Sequence, residues 1–416
     1  MITVVSVVPT ALEKDSRSLK IAASLARLGY RSIAVESLPS RQPERLPVAV
    51  VPLGGRPADH GRAGSAVSTE GGGGPLVWLR ARLPRLVAEI MHLAIMLGGY
   101  FVVRPLQGLA RAPRGELYYL HEYRMFPLVR LLQILRPAPI IYDAHDFYPE
   151  VWRARELSTF WRRCFLPLLS SWEGWVARRA DRVVMVGSGV ADLFEATYGV
   201  RPEILRNAHD SRLERAPARS LREMVGLDDS SLLLVTVGNR KPGQAVDEAI
   251  EALNRLPSHV HLAFVGRFYD DAVATARRLG VADRVHAVGP VAPEEVVPFI
   301  RSADAALILY WPETGNYRNI LPNGFFQSVS ANLPLLWPAL PELERIIETR
   351  QVGRRIDPLD PASIALNVQW LIDNRPAMGH IRQELALLAD AVGWEREEQR
   401  LGSLVATVLE EWRKGR

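Results

Sequence analysis

Cysteine is nearly absent: Cys164 is the only one in 416 residues. A single thiol excludes a disulfide framework and any zinc site built on cysteines, so a reducing, cytoplasmic compartment is the simplest expectation. Cys164 stands in the apolar stretch CFLPLL and reads as a small buried residue. Long apolar runs are also scarce. The longest, MHLAIMLGGYFVV at 91–103, is shorter than the roughly 18 to 20 residues of a spanning helix, so no transmembrane segment is expected. The start, MITVVSVVP, lacks the basic stretch and small-residue cleavage site of a signal peptide and reads as a first strand. Long runs of like charge, zinc-finger spacings and aromatic RNA-binding motifs are missing too, which argues against a nucleic-acid partner. The net charge of +5 still favours anions, and nucleotide phosphates or an acidic membrane surface account for it.

What is present is ordinary globular material, 48% hydrophobic and 23% charged, in a chain long enough for two cores. Residues 2–8 form a continuous apolar run, and a helical pattern follows through Leu19, Ala22, Ala23, Ala26 and Leu28. Gly29 stops it before the next run, SIAVE. LYYL, IIYDA and RVVMV continue the series, and a second one opens after residue 230 with LLLVTVG, VHLAFVG, RVHAVG and AALILYW. Strands alternating with helices predict two doubly wound, Rossmann-like α/β domains with parallel sheets, ligands gathering at the carboxyl ends of the strands in a central cleft. The expected division is 1–210, 211–390 and a C-terminal helix over 391–416 that crosses back to the first domain. GRPADHGRAGSAVSTEGGGG at 55–74 reads as a flexible surface loop. Residues 76–106 mix apolar side chains with Trp78, Arg80, Arg82, Arg85 and Arg104. That mixture suits either peripheral contact with an anionic membrane or the buried helices of an α/β domain.

Several clusters carry chemistry. In VGNRKPGQ at 237–244, Gly238 and Asn239 follow a strand in a turn whose amides can approach an anion, and Arg240 and Lys241 supply charge for a diphosphate. In LPNGFFQSVSAN, Asn323 reads as an N-cap, Phe325, Phe326 and Val329 as a buried face, and Asn332 as a left-handed helix end. WPETGNYRN, at the end of a strand, offers Glu313, Asn316, Tyr317 and Arg318 to a sugar. In the first half His121 and Glu122 end the strand LYYL, and Asp143, His145 and Asp146 follow IIYDA. Histidine there suits hydrogen bonding to hydroxyls or moving a proton, and the group also suits a metal. Asp15, Ser16 and Arg17 begin the first helix, as caps or as ligands of the acceptor or the donor phosphate.

The order and spacing of DSRSLKIAASLARLGYRSIAVE, YLHEYRMFP, IIYDAHDFYPE, WEGWVARRADRVVMVGSGVADLFEATYG, VTVGNRKPGQAVDEAIEAL, LPNGFFQSVSANLPLL and PELERIIE together resemble family 4 glycosyltransferases of the GT-B class. The resemblance runs from the first strand to the C-terminal helix. It implies a retaining transfer of a hexose-type sugar from a nucleoside diphosphate donor, without metal or other cofactor. His121 would then contact the reacting sugar, and Arg240 and Lys241 would neutralise the leaving diphosphate. Asn323, Gly324, Phe325 and Gln327 would line the donor with Gly238, Asn239, Asn316 and Tyr317. Asp15, Arg17, Glu122, Asp143, His145 and Asp146 would face the acceptor, which lipid-linked, polysaccharide and small natural-product compounds all fit. The chain departs from the family pattern PNK-x-FE at Gly324 and Gln327, and Asn319 replaces a further Glu eight positions before Gln327. A silent sugar-nucleotide or partner-binding protein, or a nucleotide-sugar epimerase or phosphorylase, shares this fold.

Overall fold

The computed structural model describes residues 1–54, 85–153, 158–312 and 315–415. The first sheet comprises β1 (Thr3–Val8), β2 (Arg31–Glu36), β3 (Ala49–Pro52), β4 (Leu117–His121), β5 (Ile140–Asp143), β6 (Arg182–Met185) and β7 (Glu203–Ile204), in the order β3-β2-β1-β4-β5-β6-β7. The second comprises β8 (Leu232–Val237), β9 (Val260–Val265), β10 (Val285–Val288), β11 (Ala305–Leu307), β12 (Leu335–Pro338) and β13 (Gly353–Ile356), in the order β10-β9-β8-β11-β12-β13. β1 runs parallel to both β2 and β4, as β8 does to β9 and β11. Central strands buried on both faces need continuous apolar sequence rather than alternation, which is why TVVSVV and LLLVTV read as they do.

The chain divides into two compact units. One contains Met1–His145, Leu157–Val184 and Gly402–Arg416; the other contains Asp146–Glu156 and Met185–Leu401. In each sheet the strand order reverses beside the first strand, at β1/β4 and at β8/β11, and such switch points are where open α/β sheets hold ligands. The second unit's core gathers Leu234, Phe264, Leu307 and Leu336 from its strands, with Ile250 and Val368 from covering helices.

Two sequence expectations change. Cys164 is exposed, because the π-helical turn Trp161–Phe165 directs Phe165 inward instead. The apolar stretch near 91–103 belongs to a longer helical segment, and its Glu89–Arg111 portion, 23 residues, is long and apolar enough to cross a membrane. The uninterrupted run understated this, since Arg104, Gln107 and Gly108 carry the helix past it without making it polar. The expected loop at 55–74, with Trp78, Arg80 and Arg82, lies outside the described residues.

Candidate functional site

In the first unit the site begins with capping. Asp15 ends the turn after β1 and accepts hydrogen bonds from the backbone N–H groups of Arg17 and Ser18, both 3.1 Å, and from the Ser18 hydroxyl at 2.7 Å. It is thus the N-cap of the Ser16–Arg27 helix, satisfying amides that a helix start leaves unpaired. Burial pushes the Asp15 carboxyl up, but His145, His121 and the Ser18 hydrogen bonds more than offset it and hold its pKa below the ordinary value.

The cap turns Arg17 inward. Its Nε lies 2.9 Å from Asp143 Oδ2 and its Nη2 2.9 Å from Asp143 Oδ1, a two-pronged pair with both partners buried. Burial opposes the guanidinium's charge, and Asp143 outweighs it, so the net shift is upward. Arg17 and Asp143 therefore neutralise one another beneath the switch point, and neither is presented to an acceptor as the sequence suggested. Above them stands His121 at the end of β4, its Nδ1 3.7 Å from Asp143 Oδ2. Neither imidazole nitrogen has a hydrogen-bond partner, and burial lowers its pKa from 6.5 to about 4. His121 is consequently a neutral imidazole at neutral pH, able to donate from one nitrogen and accept at the other.

Glu122 takes a left-handed backbone conformation, φ 76°, and its Oε2 accepts from Arg124 Nη2 at 2.6 Å, so its charge is matched rather than directed at a substrate. His145 is half-buried beyond β5, and Asp146 is exposed. Among the described residues no group of three His, Cys, Asp or Glu side chains is placed to hold a metal. One contributor escaped the sequence reading. Tyr119, two residues before His121 on the same strand face, sets its ring 4.9 Å from the imidazole; period-two alternation counted back from His121 would have found it.

In the second unit the turn after β8 is tied down by its own side chains. Asn239 Oδ1 accepts from Arg267 N at 3.0 Å, and the Tyr269 hydroxyl donates to Gly238 O at 3.0 Å. Lys241 N donates to Gln244 Oε1 at 2.8 Å. Arg240 binds Asp271 Oδ2 at 3.1 Å and the carbonyls of Lys241 and Gln244, both at 3.1 Å. Of the two expected phosphate ligands, Arg240 is thus engaged by the turn itself. Arg240 holds the shape of the turn, while the Lys241 side chain is exposed. Tyr317 is buried against the turn, where a Cβ on Gly243 would come within 2.6 Å of its ring, so it supports the loop rather than reading a sugar. Asn316 and Arg318 lie in the one-turn helix Gly315–Arg318, the Asn316 side chain and Glu313 being outside the described residues.

The Asn323–Ser330 helix starts beside this turn. Pro322, not Asn323, is its N-cap, because proline already holds the extended backbone of a cap; the exposed Asn323 accepts from Asn207 Nδ2 at 2.7 Å instead. A Cβ on Gly324 would sit 2.6 Å from the carbonyl oxygen of Val237, so only glycine lets the helix start this close to the end of β8. Phe325 and Phe326 are buried in the core, placing Phe325 away from any ligand, while Gln327 is half-buried on the helix's other side. Asn332 closes the helix at φ 60°, as its sequence position suggested. Asn319 donates to Gly315 O at 2.8 Å.

A second missed residue is Glu342. The Ser188–Tyr198 helix starts after Gly187, which has no side chain to cap it, and Glu342 does so from 154 residues away. Its carboxylate accepts from Ser188 N and Gly189 N, both at 3.0 Å, and from the Ser188 hydroxyl at 2.9 Å. No local spacing signals a cap supplied from so far along the chain.

The model of Glycosyltransferase Family 4 matches residues 19–211, and that of Glycosyl transferases group 1 matches residues 231–374. D-inositol 3-phosphate glycosyltransferase 2 of Catenulispora acidiphila is 24% identical over 259 residues, which make up 58% of this chain and 59% of that protein. The chain thus spans under two thirds of that curated relative. Among solved structures, sucrose-phosphate synthase of Thermosynechococcus elongatus superposes with a TM-score of 0.66 at 14% identity, covering 98% of this chain and 100% of that one. Anabaena HepE, solved with UDP and glucose, gives 0.65 at 15% identity, covering 98% and 99%. The fold shared with these enzymes is GT-B, two parallel α/β sheets. The two family models together span every strand of both sheets except β1, and the chain belongs to glycosyltransferase family 4.

Proposed function

We propose that the protein transfers a sugar from a nucleoside diphosphate donor to a nucleophile on an acceptor, with retention of anomeric configuration. The observation that carries this reading is the close approach at Gly324. It brings the N-terminus of the Asn323–Ser330 helix to the point where the Gly238–Gln244 turn leaves β8. Helix-end amides and a glycine turn both favour an anion, and Lys241 adds a full charge there. Arg240 is a positioning residue that keeps the turn open. Gln327 offers one acceptor oxygen and an NH2 donor to a ribose diol, a weaker match than a carboxylate yet still a match. The donor is a substrate, and no separate cofactor is invoked.

In the first unit, neutral His121 offers hydrogen bonds to a sugar hydroxyl. At a pKa of about 4 it is a poor base for an acceptor hydroxyl. The acceptor proton passes instead to the departing phosphate oxygen, as the bond from the anomeric carbon to the diphosphate breaks and the bond to the acceptor oxygen forms on the same face.

The test is incubation with UDP-, GDP- and TDP-sugars, with the products read by NMR. Release of nucleoside diphosphate together with a product of the donor's anomeric configuration is expected, and an inverted product contradicts retention. A donor bound without turnover would favour a second reading, a sugar-nucleotide-binding protein, which Gln327 and Asn319 support.

A further inference from the structure

The first unit holds a second concavity with different chemistry. Between the helical segment 85–111 and the Leu166–Ala177 helix lies a groove of about 480 Å³ whose walls include Leu97, Tyr100, Phe101, Leu168, Trp172 and Trp175. Trp172 and Trp175 stack at 4.9 Å, and Phe101 sits 4.8 Å from Trp172, giving the groove rigid aromatic walls. Its polar end is formed by Tyr123 and Arg124, which directly follow His121 and Glu122 in the turn after β4. Arg124 Nη1 donates to the Tyr100 hydroxyl at 3.3 Å while Nη2 holds Glu122. The groove and His121 are therefore joined by one short turn.

We infer that this groove receives the hydrocarbon chain of an anionic membrane lipid that serves as the acceptor, the acceptor role resting on the glycosyltransferase reading above. Three observations select that occupant. Apolar side chains continue beyond the groove onto the surface, with Leu168 63%, Leu106 61%, Ile95 55% and Val102 55% exposed. An apolar surface of this kind is seldom left to water. Second, residues 89–111 and 158–179 together carry six arginines against two glutamates, and Arg179 lies over the Trp175 ring of the groove wall at 3.9 Å. One of these glutamates, Glu173, is buried with the Tyr142 hydroxyl. Two copies meeting face to face would oppose arginine to arginine, whereas anionic headgroups complement them. Third, Pro105 and Gly108 are buried, and a Cβ on Gly108 would come within 2.0 Å of Leu128. The segment's carboxyl end is thus fixed to the folded unit, so the helix lies in the interface rather than crossing it.

The experiment uses the full chain with phosphatidylcholine vesicles, with and without phosphatidylglycerol bearing a photoactivatable acyl chain. The wild type is expected to sediment with the anionic vesicles and to crosslink through peptides containing Phe101 or Trp172. Leu97→Glu and Leu168→Glu, both at exposed positions, are expected to abolish sedimentation and crosslinking. Leu366→Glu, on an equally exposed leucine of the second unit, is expected to retain both. Absence of sedimentation, crosslinks that Leu97→Glu leaves unchanged, or a concentration-dependent dimer lost in these variants would each overturn the inference. UDP titration of the same preparations separates the two readings. UDP binding without lipid capture removes the groove's role alone, whereas failure to bind any nucleoside diphosphate despite lipid capture removes the acceptor assignment through the donor reading.

Discussion

His121 is enclosed so fully that burial, more than any neighbour, sets its charge. In the folded protein it stays neutral down to about pH 4, while in the unfolded chain it protonates near 6.5. Between those values the unfolded state binds more protons, so acidification from 6.5 toward 4 removes stability, by at most about 1.4 kcal/mol per pH unit. His121→Gln should therefore show a shallower loss of melting temperature than the wild type over that window, with the two converging as pH falls. Parallel curves would contradict the buried neutral imidazole. The position of His121 was legible, since a polar residue ending an apolar strand in an α/β pattern lies at the ligand-bearing edge. The Arg17–Asp143 pair was not. Its partners are 126 residues apart, and each alone looked like a residue awaiting a substrate. Breaking such a pair, rather than removing a ligand, is what substitution of either residue would do.

At the scale of elements, the alternation of apolar strands and helices was readable because each strand had to be buried on both faces. What spacing did not reveal was how closely two elements meet. Gly324 looked like a departure from a family lysine, yet the approach of its helix to Val237 explains why no side chain fits. Gly324→Ala would push a methyl group into a backbone carbonyl and is expected to destabilise the protein by about 1–3 kcal/mol, weakening nucleotide binding with it. Thermal melts with and without nucleotide check this, and a variant as stable as the wild type would count against the contact. Asn323 failed as a cap because Pro322 already supplies the extended backbone there, and Arg240 proved to be loop scaffolding because Asp271, contributed by a later helix, is distant in sequence. The apolar length of the helix through 89–111 was understated by counting an unbroken run instead of the whole segment's composition.

For the whole molecule, two sheets with switch points at β1/β4 and β8/β11 give the chain two candidate ligand edges of unlike chemistry. The first gathers a neutral histidine above a self-neutralised ion pair, and the second gathers backbone amides and Lys241. We propose that the second edge holds a nucleoside diphosphate through its phosphates. Calorimetric titration of wild type and Lys241→Ala with UDP, GDP and TDP, and with the corresponding nucleosides, tests it most directly. At least one diphosphate should bind the wild type, and Lys241→Ala should weaken it by about 1.5–3 kcal/mol while leaving nucleoside binding unchanged. Equal loss for diphosphate and nucleoside, or no diphosphate binding at all, would overturn that assignment.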